Sequence, residues 1–187
     1  MILTDREIQI AIREQAIAIS PNPEAVAYSS TSVDLTLDPS ISICRSTKEG
    51  MEKAFDPAIR GFNPERILAD ESEQKIIDKV DGFLLKPQVL VLGWTVETVD
   101  LKISSRVAAR VEGKSSLALL GLVVHLTAPT IHAGFKGRIR LEMINQGPLP
   151  IRLRVGMRVC QLIFEQTLGT ASQGYQGMFA GQTVPGA

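Results

Sequence analysis

The stretch from Gly137 to Gln166, "GRIRLEMINQGPLPIRLRVGMRVCQLIFEQ", decides the fold class. Apolar and polar side chains alternate within its segments, and Gly and Pro stand between the segments. Alternation with a period of two is typical of half-buried strands, and Gly and Pro mark the turns that connect strands. The stretch therefore predicts a run of short strands.

Similar segments lie upstream, so the strand pattern covers most of the chain. They are "SVDLTL" (Ser32–Leu37), "FLLKPQVLVLGWTVETVDL" (Phe83–Leu101), "RVAARVEG" (Arg106–Gly113) and "GLVVHLTAP" (Gly121–Pro129). The second segment predicts two strands with breaks near Pro87 and Gly93, because both residue types interrupt strands. Many short strands at regular spacing predict an all-β domain, either a barrel or a sandwich.

A chain of 187 residues is long enough to bury one core, and we expect a single domain over residues 1–168. Its one predicted helix begins at a capping box formed by Thr4 and Glu7. Residues 45–80 are mixed in composition and predict an irregular excursion with one or two short elements. The glycine-rich tail, residues 169–187, has little that could form a core and would be flexible on its own.

Composition excludes several classes of partner. Lys+Arg and Asp+Glu number 20 each, so nothing indicates a nucleic-acid polymer or an acidic membrane surface. Aromatic residues are few, which argues against a stacking platform for single strands. No apolar run approaches the roughly 20 residues that cross a bilayer. Cys44 and Cys160 are far apart, which is typical of reduced thiols in a cytoplasmic protein.

The segment "EGKSS", Glu112 to Ser116, resembles a phosphate-binding loop but is not a Walker A loop. That loop needs a second glycine five positions before its Gly-Lys pair, and Ala108 occupies the position. Lys114, Ser115 and Ser116 could still bind an anion. The alternative is that the serines are turn residues that bond their own backbone.

Zinc chemistry is not supported by the ligand count. His125 and His132 are the only histidines, and no H-x-E is followed by P-C-x-x-C. This excludes a zinc nucleobase deaminase of that signature. A metal site built on the two histidines is a weaker interpretation than a structural role for each of them at a strand edge.

Glu142, in "GRIRLEMIN", is the best candidate for proton transfer. Strand alternation places Ile139, Leu141 and Met143 on one face and Glu142 on the other with Arg140. One interpretation is a solvated outer face with an Arg140–Glu142 neighbour pair. The other is a carboxylate within a cleft, where partial burial would raise its pKa so that it could take a proton from water and return it to a leaving group.

Ordered motifs from end to end of the chain resemble the dCTP deaminase family, which shares its fold with the dUTPases. They are G-K-S-S-L (Gly113–Leu117), G-L (Gly121–Leu122), H-x-T-A (His125–Ala128), G-F-x-G-x-I-x-L-E (Gly134–Glu142), Asn145, G-M-x-x-x-Q-L (Gly156–Leu162), S-V-D-L (Ser32–Leu35) and F-A-G-Q (Phe179–Gln182). The match is weakest between Arg45 and Val80. The resemblance implies an all-β distorted barrel or jelly roll of the dUTPase type that assembles as a homotrimer.

The same resemblance implies a function and a site between subunits. Each site would bind a deoxycytidine triphosphate, with Mg²⁺ carried on the phosphates and no zinc. Catalysis would rest on Glu142, which activates the water that adds to C4 of cytosine, and on Ser115 as an adjacent donor that stabilises charge. The remaining positions would bind substrate: Lys114 and Ser116 the phosphates, Thr127 and Ala128 the base, His132 the sugar, and Phe179 and Gln182 the nucleotide from a tail that closes as a lid.

Four positions depart from the family pattern. Leu119 replaces an arginine near the catalytic glutamate, and His132 replaces an aspartate that contacts the sugar and, in dUTPases, serves as a base. Thr130 and Met178 stand where basic residues are common.

Three hypotheses follow from these departures. The first is a dCTP deaminase, also on modified or other cytosine nucleotides, in which Arg138 or Arg140 supplies the lost charge. The second is a nucleotide-binding paralogue without fast chemistry. The third is a dUTP pyrophosphatase or bifunctional enzyme, which the His132 replacement makes least favoured.

Overall fold

The computed structural model of the protein describes residues 1–44, 54–177 and 181–183. The helices are α1 (Asp5–Arg13), α2 (Pro64–Glu71) and α3 (Ser115–Ala118). The strands are β1 (Ile17–Ser20), β2 (Tyr28–Ser29), β3 (Ser32–Thr36), β4 (Ser40–Cys44), β5 (Ser72–Ile76), β6 (Phe83–Leu85), β7 (Leu90–Leu101), β8 (Val107–Gly113), β9 (Leu122–Val124), β10 (Thr130–Ile131), β11 (Lys136–Asn145), β12 (Ile151–Leu153) and β13 (Arg158–Gln166). The all-β expectation is confirmed.

The strands form two main sheets with the core between them. One sheet has the order β5–β4–β7–β11–β9, and β1 also pairs with β7. The other has the order β10–β8–β13–β3–β2, and β12 and β6 form a separate ribbon. Leu141 and Met143 of the first sheet and Leu35 and Phe164 of the second are fully buried in one cluster. Along β11 each buried residue is flanked by more exposed ones, as alternation requires.

The predicted break at Gly93 is wrong, because β7 runs without interruption through this residue. A Cβ added to Gly93 would lie 2.6 Å from Cε of Met143 and 3.0 Å from Cδ1 of Leu37. Glycine here makes room for two core side chains. A strand can contain a glycine because neighbouring atoms approach its backbone closely, and not only because the strand is interrupted there. The break near Pro87 is confirmed, because β6 ends at Leu85 and β7 begins at Leu90.

A β-bulge in β11 sets which residues face outward near its end. The register against β7 shifts between Arg138 and Arg140. The free backbone N–H of Ile139 donates to Oγ1 of Thr95 at 3.0 Å, and that hydroxyl donates to the carbonyl of Glu97 at 2.8 Å. Thr95 is fully buried, so its hydroxyl satisfies the backbone group that the bulge leaves unpaired. From Arg140 onward the ladder is regular, and Arg140 and Glu142 share one face.

Two residues of the family motifs, Asn145 and Gln161, have structural roles. Asn145 is fully buried; its Nδ2 donates to the carbonyls of Leu85 and Leu149 at 3.0 and 2.8 Å, and its Oδ1 accepts from the N–H of Gly147 at 2.9 Å. Gln161 of β13 accepts from the Ser32 hydroxyl at 2.6 Å and donates to the carbonyl of Gly113 at 3.1 Å. These contacts fix the turn after β11 and the start of the Gly-Lys-Ser-Ser segment.

The predicted N-terminal helix forms with Thr4 as its N-cap, but the predicted capping box is incomplete. Thr4 makes no side-chain bond to the backbone, and its hydroxyl donates to the Glu7 carboxylate instead. Ile8 anchors α1 in the core, where it is fully buried. None of the helices among the described residues has the length and apolar character to cross a membrane.

Candidate active site

A cavity of about 400 Å³ opens on the outer face of the β7–β11 ladder. Its polar lining residues are Glu65, His125, Thr130, His132, Arg140, Glu142 and Gln182, and its main apolar ones are Leu68, Leu92, Ile131, Phe135, Ile139 and Tyr175. The floor comes from β7 and β11, one wall from α2, and the other from the segment around β10 and from the tail. A concave, mostly apolar site with a few convergent polar groups is typical of a small-molecule pocket.

Glu142 lies in this cavity, so the cleft interpretation of this residue is the one that matches the geometry. Its side chain is 38% exposed, and Oε2 lies 3.0 Å from Nδ1 of His125. The two residues meet because β9 pairs antiparallel with β11, and the N–H of His125 extends that ladder by donating to the Glu142 carbonyl at 2.8 Å. His125 then turns the chain away from the sheet with a left-handed φ of +64°.

The His125 ring is oriented by its other nitrogen. Nε2 lies 2.8 Å from the carbonyl of Ala128, and a carbonyl only accepts, so Nε2 carries a proton. Nδ1 is buried and makes no hydrogen bond of good geometry to any described group, although the Glu142 carboxylate lies close to it. If both nitrogen and carboxylate lacked a proton, two lone pairs would face each other at 3.0 Å. A proton on Nδ1 would turn this contact into an ion pair with the Glu142 carboxylate.

The pKa values of the two residues move apart for this reason. Burial opposes the charge of His125, but contact with the Glu142 carboxylate and the bond to Ala128 outweigh it and raise the His125 pKa. Burial also opposes the charge of Glu142, yet His125 and, more weakly, Arg140 lower the Glu142 pKa, so the expectation that partial burial raises it is wrong. At neutral pH Glu142 is a carboxylate, which is the form that can accept a proton from water.

Arg140 adds a cation to the same face. Its Nη1 and Nη2 donate to the two carboxylate oxygens of Glu65 at 2.7 and 3.0 Å, and its guanidinium lies 4.7 Å from the centre of the Trp94 ring. Arg138, the other arginine expected to supply charge, does not line the cavity and donates to Asp38 at 2.6 Å. Only Arg140 of the two lies where it can act on Glu142.

The residues of the Gly-Lys-Ser-Ser segment lie outside this cavity within a single chain. Lys114 forms an ion pair with the buried carboxylate of Asp34, which Arg158 also approaches at 3.8 Å. Ser115 and Ser116 are exposed at the start of α3. None of the three lines the cavity that holds Glu142. Within one chain, the structure does not bring Ser115 next to the glutamate.

Of the base-binding candidates, Ala128 lines the cavity and Thr127 does not. Ala128 presents its carbonyl to His125, and Thr127 is exposed beside it. His132 also lines the cavity, and its ring stacks on Tyr175 with centroids 5.4 Å apart and planes 15° from parallel. The tail residue Tyr175 is therefore part of the site.

The tail is anchored along the start of β11. The Tyr175 N–H donates to the Ala133 carbonyl at 3.1 Å. Gln182 accepts from the N–H of Arg138 at 3.1 Å, and its Nε2 donates to the Arg138 carbonyl at 2.9 Å. Its Oε1 is buried without a partner among the described residues, so this acceptor is available to a ligand. Phe179 and Met178, named from the sequence, lie outside the described residues.

Sequence reasoning missed His125, Tyr175 and Glu65 as site residues. The interpretation of His125 as purely structural overlooks its contact with Glu142, although the H-x-T-A motif contained it. Tyr175 was one of few aromatics in a glycine-rich tail. Nothing in the local sequence of α2 indicated Glu65.

For metals, no group of three or more His, Cys, Asp or Glu side chains that could hold an ion occurs in the part of the chain that the structure describes.

The fold and the cavity define a class: an all-β protein with a carboxylate–imidazole pair in a nucleotide-sized pocket. The sequence profile described as "dCTP deaminase-like" matches residues 2–167. The chain therefore belongs to the dCTP deaminase-like family.

Similar proteins agree with this assignment. A protein of Rhodospirillum rubrum named dCTP deaminase is 38% identical over 176 residues, covering 94% of this chain and 87% of that protein. One of Pseudarthrobacter chlorophenolicus named "dCTP deaminase, dUMP-forming" is 38% identical over 192 residues, covering 100% of this chain and 94% of its own length. The crystal structure of the 2′-deoxycytidine 5′-triphosphate deaminase from Agrobacterium tumefaciens superposes with a TM-score of 0.65 at 22% identity, which shows a shared fold. It covers 87% of this chain, which spans 47% of that longer one.

Proposed function

We propose that the protein hydrolyses the C4 amine of dCTP, giving dUTP and ammonia. The observation that carries this proposal is the Glu142–His125 pair in the cavity, a carboxylate with a lowered pKa next to a proton-carrying imidazole. Water would lose a proton to Glu142 as its oxygen adds to C4. Glu142 would pass this proton to N3 of the ring and then move the proton of the new C4 hydroxyl to the amine, so that C4–N breaks, ammonia departs and a carbonyl forms at C4.

The other cavity residues would orient the carboxylate, bind the nucleotide and exclude water. His125 would hold the Glu142 carboxylate in one orientation through Nδ1, since Nε2 is fixed on Ala128. Gln182 offers its free Oε1 as an acceptor, which suits an N–H donor such as the amine of cytosine. Tyr175 and His132 would enclose the nucleoside from the tail side. Excluding water in this way strengthens the electrostatic contacts inside.

We propose a homotrimer because the site is incomplete within one chain. Lys114, Ser115 and Ser116 do not line the cavity, so a neighbouring copy would bring them to the triphosphate and the glutamate. Next to them Leu119 and Leu120 are 87% and 59% exposed, an apolar surface that suits contact between copies. Mg²⁺ would enter with the triphosphate as part of the substrate.

The tail would act as a lid that closes with Phe179 and Gln182 over the bound nucleotide. The domain boundary near residue 168 separates this lid from the barrel. The cytoplasm is the proposed compartment, where free thiols such as those of Cys44 and Cys160 persist.

A second candidate is a bifunctional reaction that ends at dUMP and pyrophosphate. The name of the Pseudarthrobacter chlorophenolicus relative favours it. His132 opposes it, because this residue replaces the aspartate expected to serve as base for attack on phosphate, and its ring is stacked on Tyr175. A nucleotide-binding paralogue without chemistry remains the third candidate.

One assay tests the proposal. The purified protein is incubated with Mg²⁺ and dCTP, dCMP or dUTP, and nucleotides, ammonia and pyrophosphate are separated and measured. Ammonia with dUTP supports deamination, dUMP with pyrophosphate supports the bifunctional reaction, and tight binding without products supports the paralogue. Glu142→Gln should abolish ammonia release yet bind triphosphate nearly as well, because the carboxylate faces the base. The matched control is Glu165→Gln, on β13 beside Arg110 and away from the cavity, which should leave the rate unchanged.

A further inference from the structure

A second ion pair shares the face of β11 with Glu142. Arg140 is two positions before Glu142 in a regular strand, so their side chains project from the same side. Both line the cavity, and Arg140 is bound through two parallel hydrogen bonds to Glu65 of α2. We call the Glu65–Arg140 pair the charge fork.

The position of the charge fork is fixed by its surroundings. Arg140 is the register partner of Trp94 on β7, and its guanidinium lies 4.7 Å from the centre of that ring. Trp94 is 2% exposed, while the side chains of Arg140 and Glu65 are 16% and 42% exposed. A guanidinium held on an aromatic face by a bidentate carboxylate has few alternative orientations. Arg140 therefore stays beside Glu142 while Glu65 is in place.

The charged and titratable groups around Glu142 come from four elements. His125 follows β9, Arg140 lies on β11, Glu65 lies on α2, and His132 follows β10. His125 touches the carboxylate directly, and Arg140 favours its ionised form from the same strand face. Glu65 cancels much of the Arg140 charge, because two of the three guanidinium nitrogens are bound to its carboxylate.

We propose that Arg140 is a positioning residue that sets the charge of the Glu142–His125 pair, and that Glu65 on α2 is the counter-ion that limits its effect. The inference rests on the proposed function in so far as that pair performs proton transfer. Removing either member of the fork leaves the other as an uncompensated charge next to the pair. Loss of Arg140 makes the site more negative, and loss of Glu65 makes it more positive.

The two losses have opposite consequences. Glu142 and His125 lie 3.0 Å apart, so their titration follows two coupled steps that belong to the pair. Arg140→Gln should raise both apparent pKa values, because a free Glu65 carboxylate favours bound protons. Glu65→Gln should lower both, because a free guanidinium disfavours them. An uncompensated unit charge beside the pair in a partly exposed site shifts each step by about half a pH unit to one unit.

The experiment is an NMR titration of the imidazole resonances of the full-length protein. The chain has 2 histidines, so a His132→Asn variant assigns both signals. The His125 midpoint is compared among wild type, Arg140→Gln, Glu65→Gln and Arg140→Lys, with Arg138→Gln as the matched control because Arg138 is bound to Asp38 outside the cavity. Opposite shifts for the first two variants, and midpoints near the wild-type value for Arg140→Lys and the control, support the inference. Shifts of the same sign, or no shift, overturn it.

The pH profile of deamination gives a second readout. The acidic limb of kcat/KM should move to higher pH in Arg140→Gln and to lower pH in Glu65→Gln, by the same half to one unit as the titration. A merely structural role would lower the rate in both variants without moving the limbs apart. If the wild type releases no ammonia while the NMR midpoints still move in opposite directions, the proposed function fails and the charge fork stands.

Discussion

Coupling between His125 and Glu142 should exist only within a defined pH window. The variants are His125→Asn, which keeps a residue type that tolerates the left-handed backbone, Glu142→Gln, and the double variant. The Nδ1–Oε2 distance is 3.0 Å, with the His125 side chain 8% exposed and that of Glu142 38% exposed. A fully buried pair would contribute several kcal/mol, but solvent reaches the carboxylate, so we expect about 1 kcal/mol of coupling.

The direction of each pKa shift gives the pH range in which the coupling between the two residues is complete. The His125 pKa is raised from 6.5 in the folded protein, so its stabilisation is complete below pH 6.5 and is lost as pH rises through the raised value. The Glu142 pKa is lowered from 4.5, so its stabilisation is complete above pH 4.5 and is lost as pH falls through the lowered value. Full coupling is therefore expected between pH 4.5 and 6.5.

The assay is urea unfolding of the four proteins at one fixed protein concentration, at about pH 5.5 and about pH 9. The double-mutant cycle at each pH isolates the coupling from the separate cost of each substitution. We expect about 1 kcal/mol at the lower pH and a value near zero at the higher pH. Equal coupling energies at both pH values would refute the conclusion that the two groups form an ion pair within this pH window.

Three further outcomes are expected. Asn145→Ala should lower the free energy of unfolding by about 3 kcal/mol, measured in urea, because three buried hydrogen bonds are lost; a change below about 1 kcal/mol would contradict this role. Thr95→Val should cost about 1–3 kcal/mol in the same assay, since it leaves the Ile139 N–H unpaired in the core. Deleting residues 174–187 should weaken dCTP binding at least about tenfold by calorimetry, because the stacked Tyr175 and the docked Gln182 are removed; unchanged affinity would mean that the tail is not a lid.

The local sequence predicted the strands well where the alternation of apolar and polar residues was strong. The alternation from Ile139 to Met143 correctly put Glu142 on the opposite face from the core. It failed at Gly93, because a glycine that interrupts a strand and a glycine that admits Met143 look the same in sequence. It failed in detail at Thr4, whose hydroxyl found the Glu7 carboxylate and not the backbone.

Site residues were predicted less evenly, for a different reason. Motif resemblance named Glu142, Ala128, His132 and Gln182, all of which line the cavity. It also named Lys114, Ser115 and Ser116, which one chain by itself does not bring there. The Glu65 carboxylate could not be found from sequence, because α2 lies in the segment where the family pattern is weakest. Its contact with Arg140 exists only once α2 packs against β11.

By itself, then, the sequence determined the strand content, the outward face of β11 and the family to which the chain belongs, because side-chain alternation and motif order are local properties. Only the tertiary structure decided that His125 meets Glu142 and that Glu65 restrains Arg140. Those contacts depend on strand register and helix packing, which are set by pairing between segments far apart in the chain. A bulge stabilised by the Thr95 hydroxyl, which no pattern of hydrophobicity reveals, sets the β7–β11 register in which Arg140 lies opposite Trp94.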